Sequence, residues 1–178
     1  MDYRALLREH PDANRTDLTL LLAHPPAFHS LIKDLAMPFV EEKIDKIACL
    51  DAMGFVLGGA VAWFLDVGCV LLRKEGKAAW NAESTDYTDY SMTLKRMELT
   101  TGSLHNGDRV LLIDDWTETG AQLWAARQLI ERLGGVLIGA SFLNVEPRVY
   151  HDSRFADLPL YSVLKPTISD TLPEVDAP

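Results

Sequence analysis

Cysteine is scarce: the chain of 178 residues has two, Cys49 and Cys69, too few for a disulfide-stapled fold. Both lie in apolar runs, Lys46-Ile47-Ala48-Cys49-Leu50 and Gly68-Cys69-Val70-Leu71-Leu72. They read as small buried hydrophobes in a reducing compartment. No CxxC or CxxH spacing suggests zinc, and no metal site built by the protein alone is expected. His10, His24, His29, His105 and His151 are scattered, which leaves surface or capping roles. Positive charge is in deficit as well: 17 Lys and Arg against 26 Asp and Glu give a net charge of −9. A general nucleic-acid or anionic-membrane surface needs clustered cations, so neither partner is expected. A local basic pocket for a phosphorylated small molecule is still allowed. Long apolar runs are missing too. The longest, residues 54–65, falls short of the roughly 20 needed to span a bilayer. Met1-Asp2-Tyr3-Arg4 lacks a basic stretch followed by an apolar one, so no secretory signal is read and a cytoplasmic location is expected.

What is present is an alternation. A helix is possible at residues 3–9, with a turn at Pro11-Asp12. From residue 26 to about 42, Phe28, Leu31, Ile32, Leu35 and Phe39 share one helical face. Residues 46–50 and 69–72 read as short buried strands, separated by a turn at 51–54 and a small-residue helix at 55–64. Residues 78–106 lack punctuation, apart from a possible strand at 92–100. They read as a long excursion or flap, of the kind that is usually functional or mobile. Val110-Leu111-Leu112-Ile113 is a third strand. A helix follows at 121–133, ended by Gly134-Gly135. Strands at 136–143 and 160–164 complete the chain, and residues 170–178 are expected to be disordered. Trp63 and Trp124 fall in apolar helices and read as core; Trp80 and Trp116 lie near the loop described next. Strands alternating with helices predict one α/β domain over residues 1–178, with a largely parallel sheet flanked by helices.

The chemistry concentrates in Asp114-Asp115-Trp116-Thr117-Glu118-Thr119-Gly120-Ala121-Gln122. Ligands of open α/β sheets bind beyond the carboxyl ends of strands, and this run starts there. Two adjacent carboxylates repel one another and lose hydration; accepting hydrogen bonds from two neighbouring hydroxyls, as in a ribose diol, is a use for them. Thr119, Gly120 and Ala121 then offer small side chains and backbone N–H groups at the positive end of a helix. A diol reader followed by a phosphate cradle describes a ribose 5-phosphate. The bland alternative is that Asp-Asp ends a strand and Thr-Gly starts a helix.

Val-Leu-Leu-Ile-Asp-Asp-x-x-x-Thr-Gly resembles the motif that binds 5-phosphoribosyl-1-diphosphate (PRPP) in type I phosphoribosyltransferases. The resemblance runs from about Arg15 to Leu164 and is strongest to the adenine phosphoribosyltransferases. Asp17-Leu18-Thr19-Leu20-Leu21-Leu22 with His24-Pro25-Pro26-Ala27-Phe28 is similar to that family's Asp-Ile-Thr-Pro-Leu-Leu segment and the helix start after it. Asp51-Ala52-Met53-Gly54-Phe55 resembles its diphosphate loop, which often carries a non-proline cis peptide. Arg73-Lys74-Glu75-Gly76-Lys77 resembles its Arg-Lys-x-Gly-Lys stretch. The resemblance implies a hood at residues 1–25, a flap at 78–106 and a homodimer. It also implies Mg2+ bound mainly through PRPP, and transfer of ribose 5-phosphate to a purine-like base. It assigns the ribose diol to Asp114 and Asp115, and the 5-phosphate to Thr117, Glu118, Thr119, Gly120, Ala121 and Gln122. Asp51, Ala52, Met53, Arg73, Lys74 and Lys77 would meet diphosphate, and Arg15 and Thr16 the base.

Four positions depart from the family. Thr93 stands where the flap carries Glu, and Met53 where the diphosphate loop carries Arg. Arg15-Thr16-Asp17 replaces Phe-Arg-Asp. Glu118-Thr119-Gly120-Ala121-Gln122 replaces Ala-Thr-Gly-Gly-Thr. The related 6-oxopurine enzymes carry Asp at the position of Glu118, facing the purine, so Glu118 could supply the carboxylate that Thr93 cannot. The rival reading is a non-catalytic, regulatory protein that keeps the fold and binds PRPP or a nucleotide.

Overall fold

The computed structural model describes residues 1–9, 16–78, 81–88 and 92–164. Arg15, Trp80, Pro11-Asp12 and the tail 170–178 lie outside them. The chain opens on a 3-10 turn, Arg4–Leu6, and two short antiparallel strands, β1 (Arg8–Glu9) and β2 (Thr16–Asp17). This replaces the helix expected at residues 3–9. Helix α1 (Thr19–Leu22) follows, its start fixed by the Asp17 carboxylate, which accepts from the Thr19 N–H and hydroxyl at 2.8 and 2.6 Å. Tyr3 is buried and donates to Asp34 at 2.6 Å, tying the N-terminal segment to helix α2 (Pro25–Ala36). His24 caps α2, its Nδ1 accepting from the Ala27 N–H at 3.3 Å. The α-helix ends earlier than its apolar period suggests. Pro38 has no N–H to continue the ladder, and Met37–Phe39 tightens into a 3-10 turn.

Next come β3 (Lys46–Leu50), α3 (Met53–Phe64) and β4 (Gly68–Lys74). Residues 78–106, expected as a flap with a possible strand at 92–100, contain a hairpin of β5 (Ala82–Thr88), which was not expected, and β6 (Leu94–Thr100), which was. Strand β7 (Arg109–Thr117), helix α4 (Ala121–Arg132) and strand β8 (Val136–Val145) form the second crossover. Helix α5 (Pro147–Tyr150), a 3-10 turn at Ser153–Phe155 and β9 (Leu160–Ser162) finish the described chain.

The seven-stranded sheet has the order β5-β6-β4-β3-β7-β8-β9. Strands β4, β3, β7, β8 and β9 are parallel, and the hairpin joins β4 antiparallel at Arg73 and Lys74. Both faces of the sheet are covered, which is why its inner strands read as unbroken apolar runs. Ala48, Leu50, Val110 and Leu112 pack under α4 with Leu123, Ala126 and Ile130. Ile47, Cys49, Leu111 and Ile113 pack under α2 and α3 with Leu31, Leu57 and Val61. Cover stops at β4, where Cys69 and Leu71 are exposed, so Cys69 is not the buried hydrophobe its neighbours imply. Trp63, expected in the core, is 85% exposed on the outer side of α3, whereas Trp124 packs against the α4 core. No helix among the described residues is long and apolar enough to cross a membrane.

Candidate active site

The chain leaves β3 through α3 to β4 on one side, and later places β7 on the other side of β3. Helices α3 and α4 lie on opposite faces, so a crevice opens beyond the carboxyl ends of β3 and β7. Such a reversal of strand order is where open α/β sheets bind ligands. The ends of β3, β4 and β7 carry, in turn, Asp51-Ala52-Met53, Arg73-Lys74 and the run from Asp114.

Strand β7 is longer than expected. Asp114, Asp115, Trp116 and Thr117 all belong to it, and the connecting loop shrinks to Glu118, Thr119 and Gly120. The consequence is burial: Asp114 is 6% exposed. Burial and the adjacent Asp115 carboxylate raise the Asp114 pKa well above the usual carboxylate range, against the Gly54 N–H, which favours the ionised form. Burial raises Asp115 as well, opposed by the hydrogen bond its carboxylate accepts from the Trp116 N–H at 2.9 Å and by the charge of Lys74. The start of α3 sits directly on Asp114. A Cβ on Gly54 would lie 2.8 Å from the Ile113 carbonyl oxygen and 2.9 Å from Asp114 Oδ1, so this contact needs glycine. The Asp114-Asp115 pair and the Asp51–Gly54 turn are thus one packed unit.

At the β3 and β4 ends, the Asp51 carboxylate lies 3.9 Å from Arg73 Nε and 3.7 Å from Lys74 Nζ. The peptide between Asp51 and Ala52 is cis. The Arg73 guanidinium stands 5.5 Å from the Phe55 ring centre, and its buried Nε has no hydrogen-bond partner among the described residues. Lys77 sits on the exposed turn after β4, with no ion pair among the described residues. The turn itself is held by the hairpin: Glu98 accepts from the Gly76 and Ala78 N–H groups at 2.9 and 3.0 Å, bonds that lower its pKa. Among the described residues no cluster of His, Cys, Asp or Glu could hold a metal ion.

Gly120 takes a left-handed conformation at φ 70° as the cap of α4. Thr119 Oγ1 accepts from the Ala121 N–H at 3.3 Å. The N–H groups of Thr119 and Gly120 donate to no acceptor among the described residues, leaving the donors an anion needs at a helix start. Thr117 is buried, and its carbonyl accepts from the Glu146 N–H at 3.0 Å. Glu118 is half-buried, and one of its carboxylate oxygens is shut off from solvent. Thr16 lies in the β1–β2 ribbon, and no hydrogen bond among the described residues links it to β7.

Other residues around this loop carried no sequence signal. The Trp116 indole N–H donates to Glu146 Oε1 at 3.1 Å, as does the Asn144 side chain. Arg148 Nε donates to the Glu118 carbonyl at 2.6 Å, and Arg154 Nη2 to the Thr119 carbonyl at 3.0 Å.

A sheet of this order, with a carboxylate pair, a cationic strand end and a helix start with free N–H donors among the described residues around one crevice, is the arrangement of a phosphoribosyltransferase-type fold. The chain belongs to the phosphoribosyl transferase family: the Phosphoribosyl transferase domain matches residues 20–153. Within that family it is similar to adenine phosphoribosyltransferases. It is 44% identical to the one from Dinoroseobacter shibae over 71% of this chain and 70% of that protein. The crystal structure of adenine phosphoribosyltransferase from Rhodothermus marinus superposes with a TM-score of 0.83 at 32% identity, covering 91% of this chain and 95% of that one. The enzyme from Giardia lamblia, solved with 9-deazaadenine, gives 0.85 at 28% identity, covering 93% and 97%.

Proposed function

We propose that this chain is a phosphoribosyltransferase that moves ribose 5-phosphate from PRPP to a purine-like base and releases diphosphate. One observation supports the reading: the Asp51–Met53 turn with Arg73-Lys74 and the run from Asp114 to Gly120 lie at strand ends that flank the strand-order reversal between β3 and β7. The base attacks C1 of the sugar as diphosphate leaves from the opposite face, with inversion. Asp114 and Asp115 hold the ribose diol, and their charge stabilises the positive charge that grows on the sugar. Thr117 to Gln122 take the 5-phosphate. The Asp51–Met53 turn with Arg73, Lys74 and Lys77 receives the diphosphate. Asp51 is already matched by two cations, which suits a metal ion delivered on substrate oxygens rather than caged by the protein. Mg2+ bound there would neutralise charge on the leaving diphosphate.

Thr93 cannot take a proton near neutral pH. Glu118, next to the phosphate-binding N–H groups, is the carboxylate proposed to handle the proton of the base. Adenine is the first acceptor to try, since it is the base named in the relatives. Arg15 and Thr16 are proposed to border the base, and the hairpin segment 78–106 to close over the reacting centre and exclude water. Every residue of α3 is apolar or glycine, yet Val56 and Trp63 are exposed. An all-apolar helix is normally covered, and a second copy of the chain in a homodimer is the proposed cover. The cytoplasm is the proposed location.

The test is incubation with PRPP, Mg2+ and a panel of purines and pyrimidines, reading diphosphate. Base-dependent release is expected, with adenine foremost. Thermal stabilisation by PRPP without release for any base would favour the non-catalytic reading instead. In the same assay, Glu118→Gln should slow turnover on the true acceptor by about a hundredfold or more. Unchanged turnover would remove Glu118 from the mechanism.

A further inference from the structure

The segment after β8 lies against the back of the phosphate loop, and two of its arginines bond the carbonyls of Glu118 and Thr119. Arg148 Nε reaches the Glu118 carbonyl at 2.6 Å, and Arg154 Nη2 reaches the Thr119 carbonyl at 3.0 Å. Arg154 is itself clamped. Its Nε lies 2.9 and 3.0 Å from the two Asp152 oxygens, its guanidinium stands 5.3 Å from the Phe155 ring centre, and its carbonyl accepts from Arg127 Nη1 at 3.1 Å. Arg127 is held in turn by Asp157 and Glu131. Phe155 closes the same side of the loop: a Cβ on Gly120 would lie 2.5 Å from its ring.

The peptides Glu118–Thr119 and Thr119–Gly120 are trans. In a trans peptide the C=O and N–H bonds point in opposite directions. Pinning the carbonyls of Glu118 and Thr119 toward the two guanidiniums therefore turns the N–H groups of Thr119 and Gly120 the other way. Those N–H groups have no acceptor among the described residues. Each guanidinium also withdraws electron density from the peptide it binds, which makes the N–H on the far side a stronger donor.

We propose that Arg148 and Arg154 are positioning residues that hold and polarise the 5-phosphate cradle from behind, without touching the substrate. The proposal rests on the phosphate reading of this loop and adds a device that sets its affinity. The device is selective. It acts on the 5-phosphate and leaves diphosphate, bound across the crevice at β3 and β4, unaffected.

Arg148→Ala, Arg154→Ala and Arg154→Lys test it, with calorimetric binding of ribose 5-phosphate and of diphosphate with Mg2+ to each purified protein. Arg148 is exposed, so its replacement leaves the core intact and serves if Arg154→Ala does not fold. Loss of a charge-assisted bond to a loop carbonyl should weaken ribose 5-phosphate roughly tenfold to a hundredfold. Diphosphate should stay within about twofold. Arg154→Lys should rescue little, because an ammonium cannot span Asp152 and the Thr119 carbonyl as the planar fork does. Folded variants that bind ribose 5-phosphate as the parent does would overturn the proposal, as would equal losses for both ligands, the mark of a general structural defect. A parent protein that binds diphosphate but not ribose 5-phosphate would instead refute the phosphate reading beneath it, before any variant is compared.

Discussion

Asp114 sits where a carboxylate does not fold well by itself. It is buried beside a second carboxylate, under the first turn of α3, and its pKa is raised. A carboxyl whose folded pKa exceeds its unfolded value contributes most to stability when protonated. That contribution is complete below the unfolded value, near 4. It is lost as pH rises through the folded value. Above that folded value the ionised group therefore strains the ligand-free site. Asp114→Asn keeps the shape and removes the charge, so it should raise the melting temperature of the ligand-free protein at pH above the folded value and flatten its decline with pH. The same change should lower kcat/KM on the order of a hundredfold, because the growing positive charge on the sugar loses its counter-charge. Melting scans and initial rates on the one variant check both halves. An unchanged or lower melting temperature at alkaline pH would mean that Asp114 is not a strained group.

Helix α3 joins two tasks in a single element. Its first turn packs on Asp114 through Gly54, and its outer face presents Val56 and Trp63 to solvent. If a second copy covers that face, then Trp63→Glu should give a monomer by sedimentation, while Trp63→Phe should keep the dimer. A dimer that tolerates Trp63→Glu would place the interface elsewhere. The helix also marks how far the sequence is legible. Its end, its place after β3 and its apolar character are readable from residues 55–64, whereas its first two residues, Met53 and Gly54, read as turn. The exposure of Trp63 is not, since composition reports what a helix carries and not which side of it is covered. Cys69 fails for the same reason, on a strand whose outer face α3 leaves open. Strand β5 was hidden because it mixes Ser, Thr and charged residues and shows no clean alternation, whereas β6 falls within the strand that residues 92–100 suggest. The placement of Asp114-Asp115 near the end of β7 and of Thr119-Gly120 before α4 was legible, because it is written within a few consecutive residues. Arg148 and Arg154 were not, since each acts on a carbonyl 30 or 35 residues away. Nothing local distinguishes them from surface cations.

The whole molecule bears a net charge of −9, and on the proposed reading it receives a polyanion. The fold would reconcile these by collecting Arg73, Lys74 and Lys77 at and just after one strand end, and at one helix start backbone donors that have no acceptor among the described residues, with the carboxylate pair between them. On that reading the pair couples ligand binding to proton release. In the empty protein, burial holds Asp114 and Asp115 partly protonated above the ordinary carboxylate range. Ribose hydroxyls that donate to the ionised pair lower both pKa values, so binding must expel protons wherever the empty site still holds them. Nucleotide affinity should therefore rise with pH from the ordinary carboxylate range up to the raised pKa of the empty pair, and level off above it. A phosphate that binds as its dianion adds release of the same sign near its own pKa of about 6. Asp114→Asn keeps the phosphate contribution and loses the carboxylate one. Calorimetry of 5′-AMP binding in buffers of different ionisation enthalpy counts the protons directly. The parent should release more than Asp114→Asn at mildly acidic pH, and the difference should vanish at alkaline pH. Equal release at every pH would show that the pair is not relieved by the sugar, and that the diol is held by other groups.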